Sequence, residues 1–502
     1  MTDLMWDIVA PNRPSEPPQM TSIKPGSHLC IWSHLHSKFI STTDAKKTIV
    51  CQRPHLLIFW QIGTQSNTTD QIRFMRKENV THQICFPSTL LFINQFCNSR
   101  ILGHQLSDNE ERWDSLPNEI LTHIFLSLPI KSIIICTSVS KTWNSLIQNP
   151  TFISTHLHHS YTNNNNHNLL LFKLVTQSVN PESTANNKEV YLLYKEDDGD
   201  GFTRKLTRFE PSNHIFRVVG TCNGLLCLSD DIFNFNTNRF FLWNPCVRKF
   251  LRLRHPNVRC ATHTDADFYA SIGFGFDPTT NDYKVVWLLT FACTNPRTKV
   301  EIYSLSTGEW RMLSSGLASQ CALGPRQPWA FLNGALHWVA FKAINVNKAH
   351  HFVLVFDLGD EVFREILLPE ELPPYTHDGF LCAYVSIYGN SIALFHDDYS
   401  SLHLNIWVMK HYGVVSSRTK ALSLPMSYQG GFGSTNYIPK VVGFTRNGRI
   451  VLEMNGGHLM SQDLKTQETK DLKLIGYNYN FVDTYAESLV LLDKAANGAI
   501  TY

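Results

Sequence analysis

The stretch "GTCNGLLCLSD", residues 220–230, places an Asn-Gly pair between two apolar runs. An Asn-Gly step in that setting is a strong short-range signal for a β-hairpin. The signal recurs. Turn-forming asparagines precede strand-like runs at Asn223, Asn281 ("NDYKVVWL"), Asn333 ("NGALHWVA"), Asn390 ("NSIALFHD") and Asn447 ("NGRIVLEM"), at spacings of 58, 52, 57 and 57 residues.

A second series runs out of phase with the first: "RFFLWNPCVRKFLRL", "KVEIYSLSTGEWRML", "FVLVFDLGDEVFREI", "HLNIWVMKHYGVV" and "HLMSQDLKTQETKDL". Most of these read as strand, polar turn, strand. Two hairpins per repeat make a four-stranded unit, and repetition of such units is the mark of a β-propeller. From about residue 168 to 495 there is room for about six units. The first and last units lack clean repeats, so closure can combine strands from both ends. The competing reading is a β-sandwich, or two unrelated β-domains with coincidental spacing, and five successive asparagines weigh against it.

Upstream, "SLPNEILTHIFLSLPIKSIIICTSVSKTWNSLI" (115–147) is about half apolar and cut by Pro117 and Pro129. Pro117 suits the first position of a helix and Glu119 its first turn. Leu116, Ile120, Leu121, Ile124, Phe125 and Leu128 span about half the helix circumference, wider than the ~100° stripe of a one-sided helix. The next segment, with Ile130, Ile133, Ile134, Ile135, Cys136 and Val139, is apolar in nearly every direction. A third piece carries Trp143, Leu146 and Ile147 before Pro150. So small a helical unit cannot bury all of this within itself. The surplus faces either the rest of the chain, as an ordinary core subdomain, or a partner, and periodicity does not separate the two.

These residues resemble the F-box motif, especially its plant form: the Leu-Pro steps at 116–117 and 128–129, the Val139-Ser-Lys-x-Trp143 run and the Pro-x-Phe at 150–152. The chain departs from the pattern at Ile135, Thr137 and Ser138, where members often carry basic residues and a cysteine. The repeats resemble the plant F-box-associated (kelch-like) interaction domain, through "GTCNGLLCLSD", "LWNPCVRKF" (242–250), "GFGFDPTTNDYKVV" (273–286), "VEIYSLSTGEW" (300–310) and the closing "ESLVLL" (487–492). The resemblance implies a substrate-recognition subunit of a Skp–cullin–F-box ubiquitin ligase. Its F-box would dock on the Skp adaptor and, through it, on a cullin–RING ligase; its β-domain would bind an unidentified target protein. Leu116, Pro117, Ile120, Leu121, Ile124, Leu128 and Pro129 are then the adaptor contacts, and Trp143 packs the motif's own core.

The organisation expected is thus multidomain, α plus all-β. Residues 1–110 form an extension of unknown structure, 111–160 a small three-helix F-box, 161–167 a polar spacer containing "TNNNNHN", and 168–495 the propeller-like domain of about six four-stranded repeats. The extension shows no repeat or motif; an accessory domain, a poorly packed extension and a mistaken gene start are all open. Its segments "HLCIWSHLHSKFIS", "HLLIFWQIG" and "QICFPSTLLFINQF" suit strands or short helices.

Bulk properties agree with this reading. Lys and Arg number 44 against 42 Asp and Glu, so no broad attraction to nucleic acid or membrane is expected. The first residues lack a basic-then-apolar leader, and no run of 18 apolar residues marks a transmembrane helix. Twelve cysteines without a CxxC pair fit reduced thiols, hence a cytoplasmic or nuclear setting.

Signals for chemistry are weak, and no catalytic residue, metal or cofactor is expected. His156, His158 and His159 ("HLHHS") could ligate a metal but have no cysteine or carboxylate beside them, and read better as the polar tail of the F-box. His350 and His351 read as loop residues before a strand. Cys222 and Cys227 lack zinc spacing, and strand alternation is expected to put them on opposite faces. "GGFGST" (430–435) has no Walker lysine and reads as a loop. Trp243, Trp310, Trp338 and Trp407 recur with the repeats and read mostly as blade packing, with one or two at a binding rim. Two other functions stay in view: a propeller enzyme acting on glycans, and a binding propeller without ubiquitin chemistry. Convergent carboxylates or metal ligands in the channel would mark the first; a helical face already buried against the β-domain would favour both.

Overall fold

The computed structural model describes residues 117–162 and, between loop stretches, 169–494, together with the backbone of 499–501 and of four strands nearer the amino terminus. Those four, His28–Trp32, Lys47–Arg53, Leu56–Ile62 and Ile72–Met75, hydrogen-bond in sequence order as one sheet. The first pair is parallel. Two of the three upstream segments expected as strands or helices therefore contain strands, and the third, "QICFPSTLLFINQF", lies outside the described residues.

Four helices follow: α1 (Asn118–Leu126), α2 (Ile130–Cys136), α3 (Lys141–Ile147) and α4 (Pro150–Thr162). Prolines and short polar side chains set their ends. The Pro117 carbonyl accepts from the Ile120 and Leu121 amides, and the Pro129 carbonyl from those of Ser132 and Ile133. Ser140 Oγ caps the Trp143 amide at 3.2 Å, and Asn149 Oδ1 caps that of Thr151 at 2.8 Å.

The remainder is a six-bladed β-propeller. Blade I combines both ends of the domain: Phe481–Tyr485 inside, then Leu169–Thr176, Lys188–Lys195 and Phe202–Leu206. Blade II is Arg217–Cys222, Leu225–Ser229, Phe240–Asn244 and Lys249–Arg252, with Ala499–Thr501 on its outer edge. Blade III is Phe268–Asp277, Asp282–Phe291, Arg297–Ser304 and Glu309–Leu313. Blade IV is Trp329–Leu332, with Ala322–Leu323 beside it, then Ala335–Asn345, Lys348–Asp357 and Phe363–Leu367. Blade V is Ala383–Tyr388, Ser391–Asp398, His403–Met409 and Arg418–Pro425. Blade VI is Lys440–Phe444, Arg449–Glu453, His458–Asp463 and Thr469–Ile475. Each inner strand touches those of its two neighbours, so the six form a closed ring.

The asparagine series marks the turn between first and second strands in blades II to VI. Asn223-Gly224 and Asn333-Gly334 have positive φ at both positions, 51° and 78°, 53° and 74°, the turn that matches strand twist in a two-residue hairpin. In blades V and VI the left-handed residue is the adjacent glycine, Gly389 or Gly448. The second series is the hairpin of third and fourth strands. Blade I has no asparagine turn because its inner strand arrives from the far end of the chain.

The core lies in layers between blades. Leu226, Trp243 and Phe250 of blade II pack with Leu171 and Tyr191 of blade I, and Val286 and Ile302 of blade III with Leu336 and Trp338 of blade IV. The "GFGF" repeat is explained by proximity: a Cβ on Gly273 would lie 2.6 Å from the Trp338 ring, and one on Gly275 2.5 Å from that of Phe331. Trp243, Trp310 and Trp338 are buried, and Trp407 is half-buried under Lys420 Nζ.

Two polar links join distant parts of the ring. Asn244 Nδ2 donates to the carbonyls of Ser488 (3.1 Å) and Val490 (2.8 Å), and Lys249 Nζ to those of Leu492 (2.7 Å) and Lys494 (2.6 Å). "LWNPCVRKF" and "ESLVLL" are thus two halves of one latch. Between blades III and IV, Lys284 Nζ meets Asp277 Oδ2 at 2.8 Å, the Leu358 carbonyl at 2.7 Å and Glu361 Oε1 at 3.0 Å.

Two expectations are corrected. His350 and His351 are not loop residues; they sit inside a strand, paired across from Lys342 and Phe341. The stretch between the two strands is shorter than composition suggested, and ring contacts such as Phe341–His351 extend the pairing. Cys222 and Cys227 share a face rather than occupying opposite ones. Cys222 pairs with Leu225 and Gly220 with Cys227, because a two-residue turn restarts the alternation. Both are buried thiols.

Candidate functional site

Two features stand out, the apolar helices and the propeller channel. Along α1 and its flanks, Leu121 (1% exposed), Phe125 and Leu128 are buried, Ile120 and Ile124 half-buried, and Pro117 and Pro129 exposed. Leu116 lies outside the described residues. Of the adaptor contacts read from sequence, Leu121 and Leu128 therefore face the chain's own interior, whereas Pro117, Ile120, Ile124 and Pro129 keep accessible surface. Ile120 and Ile124 are one helical turn apart and so share a stripe. In α2, Ile134 and Ile135 are half-buried while Ile130, Ile133 and Cys136 are buried. Trp143 is 3% exposed.

In α4, Phe152 lies edge-on to Phe125 of α1 at 6.2 Å. His156 is buried beside Phe152. Burial, with His159 nearby, lowers its imidazole to about 4, so it is neutral at physiological pH. His158 is exposed and His159 half-buried, and no metal-ligating cluster is found among the described residues. "GGFGST" lies outside them, as do residues 163–168 of the asparagine-rich stretch.

The channel holds a cavity of about 860 Å³ lined by the inner strands of blades I, II and IV to VI and by Tyr161. Asp483 is the one carboxylate among the described lining residues. Its Oδ2 accepts from Thr221 Oγ1 at 2.7 Å and its Oδ1 from the Thr484 amide at 2.8 Å. Burial pushes the carboxyl up to about 6, against the lowering effect of those bonds. Glycoside hydrolysis ordinarily uses two carboxylates about 5–9.5 Å apart; the described lining presents one, already hydrogen-bonded to the wall. Sequence reasoning did not find Asp483 or Tyr161, because what distinguishes them is ring closure, which no local pattern reports.

Among the described residues no helix is long and apolar enough to cross a membrane. Residues 113–155 match the model of the F-box domain, and residues 160–490 that of the F-box associated beta propeller domain. The chain is 30% identical over 405 residues to the F-box protein At3g07870 of Arabidopsis thaliana, covering 72% of this chain and 88% of that one. It is 26% identical to the F-box protein CPR1 of the same plant, covering 72% and 84%. A Trypanosoma rangeli sialidase is a remote structural match, with 10% identity, a TM-score of 0.31, and coverage of 65% of this chain and 54% of that one. With both models matched in order along one polypeptide, the chain belongs to the family of F-box proteins that carry an F-box-associated β-propeller domain.

Proposed function

We propose that the chain is the substrate-recognition subunit of a Skp–cullin–F-box ubiquitin ligase. The helices of 111–160 dock on a Skp-type adaptor, and the propeller of 168–495 holds a target protein for ubiquitination. The observation that carries the reading is apolar surface left over on the helices. Ile120 and Ile124 are only half-buried, and Pro117 and Pro129 exposed, although Leu121, Phe125 and Leu128 already supply the interior. Covering a side chain of this kind contributes about 1.5–3 kcal/mol when complete, before association costs. Pro117, Ile120, Ile124 and Pro129 make the direct contacts on this reading, with Leu121 and Leu128 supporting them from beneath.

The mechanism is placement. A receptor of this type raises the target's effective concentration beside the ubiquitin-charged enzyme, and no residue of the chain acts as acid, base or nucleophile. Co-expression with plant Skp adaptors followed by capture tests the reading. The wild type is expected to be captured, and the folded Leu116→Ala/Pro117→Ala variant is not. Absence of capture by a well-folded wild type across several adaptor paralogues would overturn it.

A further inference from the structure

A hydrogen bond joins the last turn of α4 to the propeller. Tyr161 donates its hydroxyl hydrogen to Asn223 Oδ1 at 2.9 Å, and both residues line the channel. Tyr161 as a whole is 44% exposed, and its hydroxyl supplies a directional link to the propeller. Burial of that hydroxyl, with Cys222 and Asp483 nearby, holds the phenol up at about 12, and it remains a donor across the physiological range.

The acceptor is rigidly presented. Asn223 sits at φ 51° in the two-residue turn that opens blade II. The next residue, Gly224, is fastened in turn: its carbonyl accepts from Tyr485 Oη of the closing strand at 3.2 Å. Towards the other end of α4, the buried rings of Phe152 and Phe125 meet edge-on, at 86° between planes. An unbroken series of contacts therefore runs from α1, through α4, to the turn where the ring closes.

We propose that Tyr161 is a positioning residue. Its bond to Asn223 fixes the angle between α4 and the propeller hub, and so sets which lysines of a bound target reach the ubiquitin-charged enzyme. This rests on the substrate-receptor reading. A helix of 13 residues is about 20 Å long, so a tilt of about 10° at Tyr161 displaces the far end of α4 by about 3 Å. Displacements of that order matter where function is placement, because angular freedom dilutes the effective concentration of the target.

The test uses the full chain with keto-amino-acid spin labels at two exposed positions, Lys131 of α2 and Thr466 of blade VI. Pulsed electron resonance reads the distance distribution in the wild type, in Tyr161→Phe, in Asn223→Gly and in the double variant. Tyr161→Phe removes only the hydroxyl, and Asn223→Gly keeps the left-handed turn while removing the acceptor. Each single variant is expected to broaden the distribution about twofold, with no further broadening in the double. The thermal midpoint should move by no more than a few degrees. An unchanged distribution in both single variants, or additive broadening in the double, overturns the proposal. Adaptor capture by the variants is expected to match the wild type. Loss of capture by the wild type itself would refute the receptor reading and leave the distance result standing, so the two failures are distinguishable.

Discussion

Asn244 and Val490 stand 246 positions apart in the sequence and 2.8 Å apart in the fold, where the Asn244 amide donates to the Val490 carbonyl. The same amide reaches the Ser488 carbonyl and hydroxyl, and Asn244 Oδ1 accepts from the Cys246 amide at 2.9 Å. One side chain in blade II thus captures the segment that follows the closing strand. Asn244→Ala leaves these buried groups without partners, at an expected cost of about 2–3 kcal/mol. Denaturant unfolding of wild type and variant checks it; a loss below about 0.5 kcal/mol would show that the latch does not hold the ring.

The Lys284 link between blades III and IV is expected to matter more. Burial alone would lower its ammonium, but hydrogen bonds to Asp277 and Glu361 outweigh that and raise it. Lys284→Met strands the fully buried Asp277 carboxylate, and removing one partner of a buried pair costs about 3–5 kcal/mol. For both acids burial works upward, yet hydrogen bonds, from Lys284 and two threonines for Asp277 and from Arg311 and Lys284 for Glu361, hold them below their ordinary values. Their contribution is therefore present above the ordinary carboxylate range and is lost as pH falls through the folded values. The variant should show a flatter acid limb in its stability–pH curve.

Asp483 has the opposite sign. Its carboxyl is raised from 3.8 to about 6, so the folded state favours the protonated form. That stability is fully present below about 4 and is lost as pH rises through 6. Asp483→Asn keeps an acceptor for the Thr484 amide and can donate to Thr221. It should stabilise the protein at pH 7 by about 1–2 kcal/mol, less than the full shift implies because channel water screens the charge. Calorimetric midpoints from pH 4 to 8 check this, and the gain should vanish near pH 4.

Neighbouring residues of α1 should separate by role. Leu121, 1% exposed, is interior, and Leu121→Ala is expected to cost about 2–5 kcal/mol in stability. Ile120, half-buried, should cost much less as Ile120→Ala, a difference that parallel denaturation curves would resolve.

The propeller was legible because its repeat is carried by turn chemistry. Tight turns of this kind need positive φ, asparagine and glycine supply it most cheaply, and the pattern therefore recurs in blades II to VI. Closure was legible only as a possibility. Leu169–Thr176 pairs with Phe481–Tyr485 across about 300 residues, and nothing local to either strand announces the other. The paired faces of Cys222 and Cys227 were misjudged because counting parity ignores the reversal at Asn223-Gly224. On α1 the sequence identified which residues are apolar but not which are already used. Leu121 and Ile120 are chemically alike and adjacent, and only packing separates the buried one from the one that keeps surface.

Calorimetric titration of a purified Skp-type adaptor into the full chain tests most directly whether the Ile120–Ile124 surface is the adaptor site proposed above. The wild type should bind with 1:1 stoichiometry. Ile120→Asp/Ile124→Asp, folded by circular dichroism, should bind at least about 100-fold more weakly, the equivalent of about 3 kcal/mol. Equal affinity in the folded double variant, or no heat of binding from the wild type with any adaptor paralogue, would contradict the account.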